Sequence, residues 1–187
     1  MGKDMRDWIA QLEEAGELYT VKRPVDPRTE MGALLYQSRE KGLFFQNLTG
    51  YPGWRVLGQA PANPRHAALA FDTTLPQLIP KVADRMATTL PCQTVRTGPV
   101  KDIVKTGDEV NLLELPVHVS GILDAGPFIA SGLVVSRDPD TGRRNVAFHR
   151  LQIKGAKRTG ILLLPRHTYA NYRKYEAKGE PMPIAIF

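Results

Sequence analysis

The sequence predicts an α+β protein, with a small α/β region at residues 1–95 and a β-rich region at residues 96–187. Three observations lead there. Up to Ala87, apolar stripes at helical spacing alternate with short extended runs, the texture of a small α/β domain. From Leu90 onward that texture is lost, and Pro91, Gly98, Pro99, Gly107 and Pro116 punctuate short segments. Two extended runs, Phe128 to Ser136 and Asn145 to Lys154, then flank Asp138-Pro139-Asp140-Thr141-Gly142, a loop with hairpin chemistry.

A first helix is expected from Asp4 to Ala15. Asp4 can cap the free N–H groups, Met5, Trp8, Ile9, Leu12 and Ala15 form one apolar stripe, and Gly16 follows the end. Glu17 to Arg23 reads as a short strand. Asp26-Pro27 opens a second helix, with the proline where a missing N–H costs nothing, running to about Lys41 and stopping at Gly42. Leu43 to Gln46 and Trp54 to Leu57 read as strands joined through Gly50-Tyr51-Pro52-Gly53. Helical patterns return at Pro64 to Phe71 and Leu75 to Ala87. In the second region, Gly155-Ala156-Lys157-Arg158 turns the chain back into Thr159 to Leu164. One helix is expected from Thr168 to Lys178, closed by Gly179 and Pro181. Pro183 to Phe187 reads as the beginning of an apolar strand. Left unpaired, such an edge invites association, which makes the chain look like the front portion of a longer polypeptide.

Composition narrows the function classes. The 187 residues are 42% hydrophobic, ample for a buried core. No apolar run approaches the length of a membrane-spanning helix. The start, Met-Gly-Lys-Asp, leads into a charged helix rather than a signal-peptide core, which points to the cytoplasm. Met-Gly is half of a myristoylation signal, but Arg6 stands where Ser or Thr is required. Cys92, the only cysteine, excludes an intrachain disulfide and a Cys-rich zinc site. The net charge of +6 has a local source: seven basic residues lie between Arg137 and Arg158, against two acids, Asp138 and Asp140. Solvated hairpin ends or an anionic small ligand would each account for it. There is no aromatic-studded basic strand and no recognisable nucleic-acid module.

The stretch from Gly142 to Thr168 carries the candidate chemistry. It sets Asn145, Arg150 and the pair Arg166-His167 at the ends of two strand-like runs. An amide oxygen and an imidazole nitrogen can both ligate a divalent metal, and an arginine forks onto phosphate or carboxylate. Each has a plainer reading beside it. Asn145 fits a turn residue bonding nearby backbone, His167 a helix cap, and Arg150 a strand-edge or rim cation. Strict alternation along one strand would put Asn145 and Arg150 on opposite faces, so a bulge or a late strand start must intervene if both serve one site.

Asp124 to Ile153, read as D-A-G-P-F-I-A-S-G-L-V-V-S-R-D-P-D-T-G-R-R-N-V-A-F-H-R-L-Q-I, resembles the UbiD family of decarboxylases. So do M-R-D-W-I-A-Q-L-E-E-A-G-E-L from Met5 and N-L-T-G-Y-P-G-W-R-V-L-G from Asn47. G-D-E-V-N-L-L-E-L-P-V from Gly107 and K-G-E-P-M-P-I-A-I from Lys178 fit as well, in the family's order. The resemblance implies a split-barrel-like flavin-binding domain, incomplete at residue 187. It implies prenylated FMN held with a divalent metal, usually Mn²⁺, and K⁺. The implied reaction is the reversible, non-oxidative decarboxylation of an aromatic or α,β-unsaturated carboxylic acid. By the same resemblance, Asn145 and His167 are metal ligands, and Phe148, His149 and Arg150 line the cofactor with Arg166 beside them. Arg150 also holds the substrate carboxylate within a Glu–Arg–Glu network. The acidic members of that network and a third, glutamate metal ligand are expected beyond residue 187. A homo-oligomer of the full-length form is implied too. The alternative is a non-catalytic flavin-binding or assembly subunit whose partner chain provides the missing acids.

Overall fold

A computed structural model describes residues 4–91 and 93–187. The myristoylation reading at the first two residues and the Cys92 reading lie outside them. The fold divides between Glu109 and Val110 into two compact units. Between the loss of helical texture at Leu90 and that division lie the short 3-10 turns Pro99–Lys101 and Gly107–Glu109.

The first unit is a three-stranded sheet with four helices. Helix α1, Met5–Glu14, starts in a full capping box: Asp4 accepts from the N–H groups of Arg6 and Asp7, and Asp7 reaches back to the Asp4 N–H. Strand β1, Leu18–Val21, pairs in parallel with β2, Gly42–Phe45, which pairs antiparallel with β3, Val56–Gly58. Every residue of the central strand β2 is buried, and Leu43 and Phe45 join Val25, Met31 and Leu48 in the core. Helices α3, Pro64–Ala70, and α4, Leu75–Ala87, lie where their periodicity put them. His66 of α3 is fully buried and satisfied, accepting at Nδ1 from the Ala62 N–H and bonding Glu17 through Nε2 at 3.2 Å.

Helix α2 is shorter than expected, Met31–Gln37 rather than a helix from Asp26 to Lys41. The local chemistry explains its late start. Asp26 Oδ1 accepts from Arg28 and Thr29, and Glu30 reaches back to the Asp26 N–H. These side chains give the backbone a turn in place of a helical first turn. At the other end Ser38 leaves the helical region and its hydroxyl donates to the Lys41 carbonyl.

The second unit holds six strands and one helix. Each long extended run of the sequence is broken in two. Phe128 to Ser136 becomes β4, Phe128–Ile129, and β5, Leu133–Arg137. Asn145 to Lys154 becomes β6, Arg144–Phe148, and β7, Leu151–Gly155. The halves belong to different sheets, one ordered β4-β7-β8 and the other β6-β5-β9, where β8 is Arg158–Ile161 and β9 is Ala185–Ile186. The two crossings lie side by side, joined by the His149 N–H donating to the Gly132 carbonyl at 3.1 Å. The α+β class is borne out, with the described strands in small open sheets rather than a closed barrel. The expected open strand at the end is also corrected: β9 pairs with β5, Val134 opposite Ile186 and Val135 opposite Ala185.

The β5–β6 hairpin closes through Asp138 and Gly142. Asp138 Oδ1 accepts from the Asp140 N–H, and Gly142 takes φ +72°, the left-handed conformation glycine tolerates best. Helix α5, His167–Ala177, docks on this hairpin by a polar seam rather than an apolar stripe. Thr168, Asn171, Lys174 and Lys178 share one helical face, and bond Asn145, Ser136, Asp138 and Asp140 in turn. No described helix is long and apolar enough to cross a membrane.

Candidate cofactor and carboxylate site

A cavity of about 510 Å³ opens in the second unit between β6, the end of β8 and the start of α5. Asn145, Phe148, His149, Arg150, Arg166 and His167, the six candidate residues, all line it. Leu162, Leu164, Val146 and Ala147 complete the apolar part of the wall, with Thr168 at one end. Its volume falls within the roughly 300–1,000 Å³ typical of cofactor and ligand clefts.

The break between β6 and β7 makes this convergence possible. Asn145 is the second residue of β6, opposite Ser136 of β5. After Phe148 the chain leaves that sheet, and it enters the other at Leu151, opposite Ile129. Strict alternation therefore does not carry through from Asn145 to Arg150, and the two reach one cavity. Arg150 is exposed in the break, in keeping with the strand-edge or rim position that the sequence allowed. Its guanidinium lies 5.3 Å from the centre of the Phe128 ring, a cation–π distance, and no described carboxylate pairs with it. It also lines a smaller neighbouring cleft with Phe128, Gln152 and Lys154.

Asn145 is not the turn residue that its Gly-Arg-Arg setting allowed. Its Nδ2 donates to the Thr168 hydroxyl at 3.0 Å, bridging strand and helix. An amide that gives its N–H end to a hydroxyl keeps its carbonyl oxygen as the free acceptor. His167 is not a cap either. It is the first residue of α5, Arg166 stands at the N-cap position, and no side chain caps the helix. The first backbone N–H groups of α5 thus remain uncapped beside the cavity, giving a partial positive charge there. Asn145 and His167 also border a second cleft of about 290 Å³, walled by Arg143, Arg144, Asp138 and Asn171.

The donor set suits an anionic ligand carrying a bridging cation. Asn145 and His167 bring one amide and one imidazole to the wall, and Arg143, Arg144, Arg150 and Arg166 stand around it. No aspartate or glutamate lines the cavity. Among the described residues no group of three His, Cys, Asp or Glu could hold a metal ion by itself. A metal here would have two protein ligands and need others.

Sequence reasoning missed Thr168. It is 3% exposed, and its Oγ1 lies 3.1 Å from His149 Nε2 as well as accepting from Asn145. The signal was present as the polar series Thr168, Asn171, Lys174 and Lys178 at spacings of three and four, which resembles a solvated helix face. That face is the docking face.

Comparison with known proteins agrees with this architecture. Residues 93–187 match the 3-octaprenyl-4-hydroxybenzoate carboxy-lyase Rift-related domain, and residues 9–86 match the 3-octaprenyl-4-hydroxybenzoate carboxy-lyase N-terminal domain. The chain is 31% identical to the phenolic acid decarboxylase of Bacillus subtilis (strain 168), over 98% of this chain and 42% of that protein. Among solved structures it is similar to the UbiD-class enzyme HmfF from Pelotomaculum thermopropionicum in complex with FMN. The TM-score is 0.91 at 36% identity, covering 97% of this chain and 41% of that one. An evolved dimeric form of the same enzyme, in complex with prFMN, gives a TM-score of 0.89 at 35% identity, covering 97% of this chain and 43% of that one. The vanillic acid decarboxylase of Sedimentibacter hydroxybenzoicus, in closed form, gives 0.92 at 27% identity, covering all of this chain and 42% of that one. The chain thus spans about two-fifths of the length of these relatives. With its two matched domains together covering most of its residues, the chain belongs to the UbiD family.

Proposed function

We propose that this chain provides the cofactor-holding and carboxylate-orienting part of a non-oxidative decarboxylase. Its substrate would be an aromatic or α,β-unsaturated carboxylic acid, and its cofactor prenylated FMN with Mn²⁺ (or a similar divalent metal) and K⁺. One observation carries the reading: six residues from two separate stretches of the chain, Asn145 to Arg150 and Arg166-His167, converge on a single cavity of cofactor size. The family relatives in complex with FMN and prFMN lend it support. When bound, the prenylated flavin would act as the electron sink for the breaking carbon–carbon bond.

The chain's own residues would do the rest. Asn145 Oδ1 and the His167 imidazole would hold the metal, whose charge would offset that of the cofactor phosphate. The uncapped start of α5 would add favourable potential for that anion. Phe148 and Ala147 would give the ring system an apolar wall. Arg150, at the far end of the same wall, would orient the substrate carboxylate through its planar fork. That is catalysis by alignment. Arg150 can hold a carboxylate, but a guanidinium is not a group that delivers the final proton. That step needs acids from elsewhere in the assembled enzyme, and a homo-oligomer is the form in which we expect it to act.

Turnover of an aromatic acid by the assembled enzyme, measured as carbon dioxide release after loading with prenylated FMN and Mn²⁺, is the direct test. No release across cinnamic-type, hydroxybenzoic and heteroaromatic acids would reject the reading. The lack of any carboxylate in the cavity wall favours one second reading, a non-catalytic flavin-binding or assembly subunit completed by a partner chain. Flavin retention without turnover in native material would support that alternative.

A further inference from the structure

Thr168 sits between two side chains of the candidate site. It is buried, it is the second residue of α5, and it touches Asn145 Nδ2 at 3.0 Å and His149 Nε2 at 3.1 Å. A carboxamide has two ends of opposite sense, and a hydroxyl has a single proton. Having accepted from Asn145, the Thr168 hydroxyl has its proton left for His149 Nε2. With Nε2 as the acceptor of that proton, the ring proton sits on Nδ1.

We propose that Thr168 is a positioning residue: it holds the Asn145 carboxamide with Oδ1 toward the cavity and the His149 ring in one tautomer beside it. The reading deepens the proposed function and rests on it, because Oδ1 matters only if a cation is held there. The seam along α5 keeps the hydroxyl in place. Asn171 Nδ2 donates to the buried Ser136 hydroxyl at 3.0 Å, and Lys174 Nζ reaches Asp138 Oδ2 at 2.7 Å. Thr168 is therefore fixed from both strand and helix, and the amide it meets has no freedom to flip without losing its donor contact. Without the hydroxyl, the carboxamide could turn either end to the cavity, and half of those orientations would offer a cation a donor. Groups that orient a metal ligand in this way are typically worth about 10–100-fold in metal affinity.

Two variants separate positioning from packing. Thr168→Val keeps the shape and removes the hydroxyl, and Thr168→Ser keeps the hydroxyl. In ¹⁵N spectra of the wild-type chain, His149 is expected as the Nδ1–H tautomer and the Asn145 side-chain N–H protons as slowly exchanging. T168V is expected to lose both signatures with an unchanged far-ultraviolet circular dichroism spectrum, and T168S to keep them. In the assembled enzyme titrated with Mn²⁺ in the presence of FMN, T168V is expected to bind about 10–100-fold more weakly than wild type, and T168S about as well. Unchanged Asn145 and His149 signatures in T168V would overturn the proposal, as would wild-type affinity in T168V. If the wild-type protein binds neither Mn²⁺ nor FMN, the cofactor reading itself falls and this inference falls with it. Should T168V lose its fold, the T168S comparison still decides, since a loss of both signatures there would also overturn the proposal.

Discussion

Arg150 stands where the chain leaves one sheet for another, and this position governs what its substitution would do. In the assembled enzyme, Arg150→Ala is expected to lower decarboxylation by about 10²-fold or more, the scale lost when a substrate is no longer aligned. Flavin should stay bound, because Arg150 lies at the opposite end of the cavity wall from Asn145. Lys is expected to restore little, since it lacks the planar two-pronged donor. Activity within a few-fold of wild type would remove the orienting role. For Asn145→Ala the expectation is different: metal and flavin contents should fall together on purification, measured by elemental analysis and flavin absorbance. Stoichiometric flavin with no metal would mean that a cation held by Asn145 is not what retains the flavin. Both residues were legible from the Asn-Val-Ala-Phe-His-Arg run. Their meeting in one cavity was not, because the crossing at His149 and Arg150 carries no Gly or Pro and looks like continuous strand.

Helix α5 shows how an element can be found in a sequence while its docking face is misread. Its length and stop were visible in the polar run before Gly179, but the face it buries is polar, and burial is ordinarily sought through apolar stripes. The Lys174–Asp138 contact at the far end of the seam gives a pH prediction. Hydrogen bonds from Lys174 and from the Asp140 and Thr141 backbone lower the Asp138 pKa to about 2. A carboxylate depressed in the folded state stabilises that state fully above its unfolded value, near 3.9, and loses the contribution as pH falls through the folded value. Protection of the α5 amides, taken relative to the intrinsic exchange rate at each pH, should therefore be high at neutral pH and fall as pH drops from about 4 toward about 2. In Asp138→Asn that step should disappear, with exchange already faster at neutral pH. An identical pH profile in the variant would mean that the clamp does not hold the helix. Lys174 has the opposite sense: its pKa is raised, chiefly by Asp138, so its share is present at neutral pH and fades only in strong alkali.

At the scale of the whole molecule, the two units differ in what they can do alone. The first has a complete core around Phe45, Met31 and Leu48 and capped helices at Asp4 and Asn63. It is expected to unfold cooperatively. The second has its candidate site walled by backbone-anchored residues but lined by no carboxylate. Residues 1–187 on their own are accordingly expected to take up FMN weakly and to decarboxylate nothing. Two protein ligands leave a hard divalent ion largely hydrated and freely exchanging. Absence of a positioned proton donor costs about 10²–10⁴-fold in general acid catalysis, and no nearby residue can substitute. A guanidinium is not among the side chains that serve as general acids. His149 is tied to Thr168, and His167 would be occupied by the metal. The outward edge of β9, with Ile186 and Phe187 exposed, is also expected to drive association as concentration rises. Light scattering across a dilution series would measure that association, and assay of carbon dioxide release with prenylated FMN and Mn²⁺ would measure turnover. A monomeric 187-residue chain that released carbon dioxide from an unsaturated acid would mean that an imidazole in this wall takes the part assigned to the missing acids. His149, freed from Thr168 by substrate binding, would then be the first residue to replace.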